Sequence, residues 1–198
     1  MARRQCERCS RPQGHCLCAL IPSLVSRTRV LILQHPQESA HALNTARLAA
    51  LGLSNAQLRV GERFETLPEL DAKNAWLLFP GEQAISLEEL AQRPQPVQLV
   101  VPDGTWRKAR KLLHLNPELA TLPRVALPPG LVSRYRLRKA SMPGALSTLE
   151  AIVTALNALE GEGRFNDLLR PFEALIEGQI AAMGDETYRR HHLGEGEH

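Results

Sequence analysis

Short apolar runs alternate with stretches of helical spacing through the middle of the chain. Val30-Leu31-Ile32-Leu33 reads as a buried strand, and Ala75-Trp76-Leu77-Leu78-Phe79 as a second, stopped by Pro80-Gly81. Val97 to Val101 is a third, stopped by Pro102. Arg124 to Leu127 is a short fourth, ending at Pro128-Pro129-Gly130. Helical spacing predicts helices from about Ala40 to Leu51 and from Thr105 to His114. Ser86-Leu87-Glu88-Glu89 and Ser147-Thr148-Leu149-Glu150 are capping boxes, in which the serine and the glutamate each satisfy a free amide of the helix start. The first opens a short helix and the second a helix to about Glu160. A last helical region covers about Phe165 to Arg190, with Pro171 in an early turn or at a break. Strands alternating with helices predict a mostly parallel sheet with helices on both faces.

The chain has 198 residues, 43% hydrophobic and 23% charged, enough for one globular domain and a small appendage. No apolar stretch reaches the length of a membrane span, and the start, Met-Ala-Arg-Arg-Gln-Cys, has no signal-peptide character. A cytoplasmic protein is the expectation.

All the cysteines lie near the amino terminus, as Cys6, Cys9, Cys16 and Cys18 in a C-x2-C-x6-C-x-C pattern. Four thiolates so close in sequence can close a tetrahedral shell around one structural zinc, leaving no position for water. Two disulfides are the alternative, disfavoured by the absence of any secretory signal. The expected division is a zinc-binding segment over 1–25 and a catalytic domain over 26–198.

A net charge of +3 hides an uneven distribution. Arg3, Arg4, Arg8 and Arg11 flank the cysteines. Residues 119–149 carry Arg124, Arg134, Arg136, Arg138 and Lys139 and no acid, whereas the carboxyl-terminal part is rich in acids. Cations gathered on one face suit a polyanion; a merely solvated surface is the alternative.

In a parallel sheet, ligands bind beyond the carboxyl ends of the strands. That rule selects Gln34 to Glu38, Pro80 to Glu82, Pro102 to Trp106 and Pro128 to Gly130. None is a GxGxxG or a Walker loop, so a standard dinucleotide or P-loop site is unsupported. Asp103, between a buried strand and a helix start, is the leading candidate for chemistry, since partial desolvation there raises a carboxyl pKa and makes a better base. Helix capping by Asp103 or Thr105 is the structural alternative. Trp106 shares a helix face with Ala109 and Leu113, as core or pocket wall, while Arg107, Lys108, Arg110 and Lys111 make the rest of that helix basic. His35 reads as a ligand, an acid/base group or a packed strand-end histidine. Arg47 reads as a phosphate contact or a surface charge, and Tyr135 as a base-stacking or packing residue among arginines.

Taken in order, these segments resemble the DTW-domain family. The resemblance rests on the CxxC…CxC cluster, Leu33-Gln34-His35-Pro36-Gln37-Glu38, Asn44-Thr45-Ala46-Arg47, Leu78-Phe79-Pro80, Asp103-Gly104-Thr105-Trp106, Tyr135-Arg136-Leu137-Arg138 and Ser147 to Ala151, and covers about residues 6 to 155. Gly104 stands at the variable position of the D-x-T-W motif. The resemblance implies a SPOUT-like fold with a carboxyl-terminal knot. It implies transfer of the 3-amino-3-carboxypropyl group of S-adenosylmethionine to N3 of a tRNA uridine, by analogy position 47 in the variable loop, with release of methylthioadenosine.

On that reading Asp103 is the base. Phe79, Pro80, Gly81, Thr105, Trp106, Leu127, Arg138, Ser147 and Thr148 hold S-adenosylmethionine. Arg8, Arg47, Arg107, Lys108, Arg134 and Arg136 contact tRNA, and the four cysteines hold zinc. Two other functions stay open: a zinc-dependent RNA-binding protein without transferase activity, and a SPOUT-type RNA methyltransferase. The oligomeric state is open as well, a monomer included.

Overall fold

The computed structural model describes residues 4–134 and 146–184. Six strands form one sheet: β1 (Arg29–Gln34), β2 (Ala56–Val60), β3 (Ala75–Leu78), β4 (Ile85–Ser86), β5 (Gln98–Asp103) and β6 (Arg124–Ala126). Their order across the sheet is β2-β1-β5-β3-β6-β4, and every neighbouring pair is parallel. The helices are α1 (Pro36–Ser39), α2 (Ala46–Gly52), α3 (Leu87–Ala91), α4 (Trp106–Leu115), α5 (Pro117–Ala120), α6 (Thr148–Glu160) and α7 (Leu169–Met183).

Successive side chains of a strand point to opposite faces, and the apolar runs divide accordingly. Val30, Ile32, Leu99, Val101 and Leu78 enter the larger cluster, with residues from α2, α3, α6 and α7. Leu31, Leu33, Val100, Ala75 and Leu77 enter the smaller one, beneath Leu113 of α4, Leu119 of α5 and the segment carrying Phe64, Leu67 and Leu70. Burial on both faces explains why these strands are continuously apolar rather than alternating. Phe165 and Phe172 are fully buried and anchor the carboxyl-terminal helices; burial of such a side chain contributes about 1.5–3 kcal/mol.

Both capping boxes form as expected, at Ser86/Glu89 and Ser147/Glu150. The first helical stretch differs from the expectation. Residues 40–45 do not continue into a helix from Ala40, and α2 starts only at Ala46. Asn44 Oδ1 accepts the Arg47 amide and so caps α2. The Arg11 guanidinium binds the Ala42 carbonyl at 2.7 Å and the Asn44 carbonyl at 3.5 Å, which holds this stretch as turns. Pro171 sits inside the first turn of α7, where its missing N–H costs nothing.

Beyond the paired ends of β1 and β5 the chain leaves in opposite directions. α2 packs with the larger cluster and α4 with the smaller. This divergence makes a crevice of the kind where open parallel sheets bind ligands. Tyr135, Arg136 and Arg138 lie outside the described residues.

Candidate active site and cysteine knuckle

Asp103 ends β5 opposite Gln34, which ends β1. Its carboxylate is buried, 8% exposed, and receives donors on both oxygens. Gln34 Nε2 donates to Oδ2 at 2.7 Å, and the Thr148 hydroxyl at the start of α6 makes a short hydrogen bond to Oδ1. The Gln34 amide is itself held by Asn44: Nε2 donates to Asn44 Oδ1 at 3.1 Å, and Asn44 Nδ2 returns a bond to Gln34 Oε1 at 3.3 Å. Three side chains from three segments, Gln34, Asn44 and Thr148, thus fix the orientation of one carboxylate. Burial makes such a network costly to leave incomplete, so each member constrains the others.

Two hollows meet beside Asp103. One, of about 360 Å³, is mainly apolar and opens past the ends of β3, β5 and β6. Of the residues predicted to hold a nucleoside, Phe79, Pro80, Trp106, Leu127 and Thr148 line it. The Phe79 and Trp106 rings lie 5.4 Å apart at 60°, a tilted aromatic pair, and the Arg124 guanidinium lies 5.9 Å from the Phe79 centroid. Gly81 is not in the wall. It lies under Arg124, whose Nη1 a Cβ there would meet at 2.8 Å.

The other hollow, of about 440 Å³, is more polar and includes Asp103, Asn44, Glu38, Lys108, Thr105 and Ser147. Gly104 and Thr148 border both hollows. Gly104 has φ of +150°, which favours glycine in this chain, and a Cβ there would stand 3.0 Å from Lys108 Cβ, a tight approach. Thr105 and Ser147 also cap α4 and α6.

His35 is a packed strand-end histidine, 2% exposed. Its Nδ1 accepts the Gln37 amide at 3.3 Å and its Nε2 lies 2.8 Å from Glu62 Oε1, an arrangement that places the ring proton on Nε2. Lys111, 2.8 Å from the same oxygen, and then His35 hold the Glu62 carboxyl below its usual range.

The four cysteine sulfurs lie within 4.8 Å of one another. Cys6 and Cys18 are 3.6 Å apart, and Cys9 and Cys16 3.8 Å. Tetrahedral zinc–thiolate bonds of about 2.3 Å set sulfurs about 3.8 Å apart, so the donor set fits that ion. All four cysteines are free, against the disulfide alternative. The amides of Cys9 and Arg8 hold the Cys6 thiol down at about 6, whereas burial and the neighbouring thiols push Cys18 up to about 12. Cys9, Leu17 and Ile21 join the larger apolar cluster, so this knuckle is seated on the body.

The predicted tRNA contacts are dispersed. Arg47 Nε and Nη2 donate to the Arg8 carbonyl at 3.2 and 3.0 Å, tying the knuckle to α2. Arg8 is exposed and reaches the Cys18 carbonyl. Arg107 is exposed on α4, and Arg134 pairs with Glu173 at 2.7 Å. Lys108 closes on Glu38. Arg136 and Arg138 lie outside the described residues. Sequence reasoning gives Glu150 only a capping role and places Gln34 and Glu38 in a strand-end segment without assigning either a part in the site. Glu150 accepts the Ser133 hydroxyl and the Arg134 amide besides its cap, and so ties the strand-end loop to α6. The signal available for Gln34 and Glu38 was their place in the stretch after the first apolar run.

A parallel sheet with a fixed carboxylate at its crevice and a cysteine knuckle defines an α/β protein with a strand-end crevice. The chain belongs to the DTW-domain family: the model of that domain matches residues 3–180. It is 34% identical over 204 residues to tRNA-uridine aminocarboxypropyltransferase 2 of Macaca fascicularis, covering 96% of this chain and 68% of that protein. It is 33% identical over 191 residues to the Mus musculus protein of the same name, covering 90% of this chain and 64% of that one. The Drosophila melanogaster protein of that name is 34% identical over 191 residues, covering 90% and 76%. The chain therefore spans about two thirds of the length of the mammalian relatives. No solved structure matches the chain.

Proposed function

We propose that this protein is a tRNA-uridine aminocarboxypropyltransferase. Its substrates would be tRNA and S-adenosylmethionine, and its product a uridine carrying a 3-amino-3-carboxypropyl group on N3, with methylthioadenosine released. The observation that carries the reading is Asp103, oriented by Gln34 and Thr148 at the junction of an apolar, aromatic-walled hollow with a polar one. The names of the relatives support the same class of reaction.

S-adenosylmethionine supplies a γ-carbon made electrophilic by the adjoining sulfonium. The residues of the chain do the rest. Neutral uridine N3 is a poor nucleophile until its proton is removed, and Asp103 accepts that proton. Gln34 and Thr148 prevent the carboxylate from rotating away. Phe79, Trp106 and Leu127 enclose the adenosine and exclude water, while Pro80 and Thr148 set its depth. In-line approach to carbon demands precise placement, so positioning supplies much of the rate. The leaving thioether is neutral, so no general acid is needed.

In the same proposal the segment 1–25 holds zinc through Cys6, Cys9, Cys16 and Cys18 in a reducing cytoplasm, and residues 26–198 form a SPOUT-like catalytic domain with a carboxyl-terminal knot. Arg8 and Arg107, both exposed, face tRNA phosphates, and the target is the variable-loop uridine at position 47. No helix among the described residues is long and apolar enough to cross a membrane.

Incubating the protein with unmodified tRNA and S-adenosylmethionine, then analysing nucleosides and small molecules by mass spectrometry, tests the function. An aminocarboxypropyl-uridine together with methylthioadenosine is expected. A methylated nucleoside with S-adenosylhomocysteine would replace the chemistry with methyl transfer, and tRNA binding with no product would favour an RNA-binding protein.

A further inference from the structure

The polar hollow contains a charged pair that the reaction as described leaves unused. Lys108 Nζ of α4 stands 2.7 Å from Glu38 Oε1 of α1, with the two side chains only 19% and 20% exposed. Both line the hollow that contains Asp103, and that hollow adjoins the apolar one through Gly104 and Thr148. A nucleoside thioether in the apolar hollow would therefore extend its remaining carbon chain past Gly104 towards this pair.

We propose that Glu38 and Lys108 form the recognition site for a zwitterionic α-amino-acid group, the aminocarboxypropyl end of the donor. The inference rests on the donor assigned above and adds where its charged end is held. Lys108 binds the α-carboxylate and Glu38 the α-ammonium, so the ligand's two charges meet the two charges of the pair.

Three observations carry this assignment. The first is chemical complementarity: a pair of opposite charges, side by side in a partly enclosed wall, matches a group that carries both charges on neighbouring atoms. The second is charge balance. Among the described residues, the acidic and basic side chains lining the hollow are Glu38, Asp103 and Lys108, an excess of one negative charge, with His41 counted neutral. S-adenosylmethionine, with its sulfonium, ammonium and carboxylate, carries an excess of one positive charge. The third is Gly104. An added Cβ would stand 3.0 Å from Lys108 Cβ, tighter than ordinary contact, and 3.7 Å from Glu38 Cγ, so the backbone at Gly104 passes directly beside both members of the pair and Lys108 lies close over it.

The competing role is a simple strap between two helices. Methylthioadenosine separates the two, because it keeps the nucleoside and the thioether and lacks the amino-acid end. The experiment is calorimetric titration of the full chain, wild type and variants, with S-adenosylmethionine and with methylthioadenosine. Lys108→Gln and Glu38→Gln are each expected to weaken S-adenosylmethionine roughly 10- to 100-fold, the worth of a lost charge-assisted hydrogen bond, and to leave methylthioadenosine binding unchanged. The double variant Glu38→Lys with Lys108→Glu keeps an ion pair between the helices but exchanges the charges. It is expected to bind methylthioadenosine normally and S-adenosylmethionine weakly.

Equal weakening of both ligands, or recovery of both in the exchanged pair, would make the pair a strap and overturn the proposal. Variants that bind both ligands as the wild type does would overturn it too, while leaving the donor assignment intact. A wild-type protein that binds neither ligand would remove the donor assignment and this proposal with it.

Discussion

The two hollows beside Asp103 are built by different means. The apolar one is walled by side chains that the sheet supplies as its strands end: Phe79 after β3, Val101 and Pro102 on β5, Leu127 after β6. Its shape follows from the same burial that makes the core. The polar one is closed by hydrogen bonds and ion pairs between segments distant in sequence, such as Gln34 with Asp103 and Glu38 with Lys108. Apolar packing tolerates small adjustments and binds without direction. A buried polar network is directional and loses much when one member is removed. A site that must enclose a nucleoside and also aim a base has use for both.

Substitutions should divide along that line. The largest effect in this set is expected from Gln34→Leu. The change removes the donor to the buried Asp103 Oδ2 and the paired bonds with Asn44, whose amide keeps the Ser39 carbonyl and the Arg47 N–H. Turnover should fall about 100-fold at saturating substrates, an amount in keeping with loss of transition-state positioning. Methylthioadenosine binding should stay near wild type in titrations, and stability should drop by roughly 1–3 kcal/mol in urea unfolding. An unchanged rate would mean that the carboxylate is aimed by other groups.

Trp106→Ala should act on the other hollow. Loss of the ring that faces Phe79 should weaken S-adenosylmethionine and methylthioadenosine alike, by roughly 10-fold, in line with about 0.5–1.5 kcal/mol for the aromatic pair itself. A loss confined to one of the two ligands would break the division drawn here.

Metal removal tests the wall between knuckle and polar hollow. Arg11, buried within the cysteine segment, holds the carbonyls of Ala42 and Asn44. Chelation should release about one zinc per chain, as four thiolate ligands require. It should then increase hydrogen exchange over residues 42–47 while the amides of β3 and β5 stay protected. Uniform loss of protection would show that the knuckle and the sheet unfold together. The smallest effect on stability is expected from Ser147→Ala, which removes one cap and should cost about 1 kcal/mol in thermal or urea unfolding.

The sheet core was legible because β1, β3 and β5 are largely buried on both faces and therefore read as apolar runs, whereas β6, with Val125 alone buried, was marked by the short run up to Leu127 and the Pro128-Pro129-Gly130 stop. β2 and β4 were not. β2 is an edge strand whose Ala56-Gln57-Leu58-Arg59-Val60 alternates as a half-buried strand does, a weaker signal than a continuous apolar run and one passed over, with Ala56 and Leu58 alone half-buried. β4 has two residues, Ile85 and Ser86, and Ser86 is also the helix cap, so the capping signal masked the strand. The helix placed from Ala40 was shortened by Arg11, a partner some thirty residues away that no local periodicity contains. In the site, Asp103, Trp106 and the cysteines stood out because position or spacing marks them. Glu38 and Lys108 are 70 residues apart, and a pairing at that range exists only once the sheet brings α1 and α4 together.

The central claim is that Asp103 removes the proton from the nucleophile while other residues bind the donor. The most direct measurement is the single-turnover rate of Asp103→Asn with saturating tRNA and S-adenosylmethionine, alongside methylthioadenosine titration of the same variant. The account predicts a rate lowered about 10²- to 10⁴-fold, the usual contribution of a general base, with methylthioadenosine bound as in the wild type. A variant that transfers the aminocarboxypropyl group at the wild-type rate would contradict it.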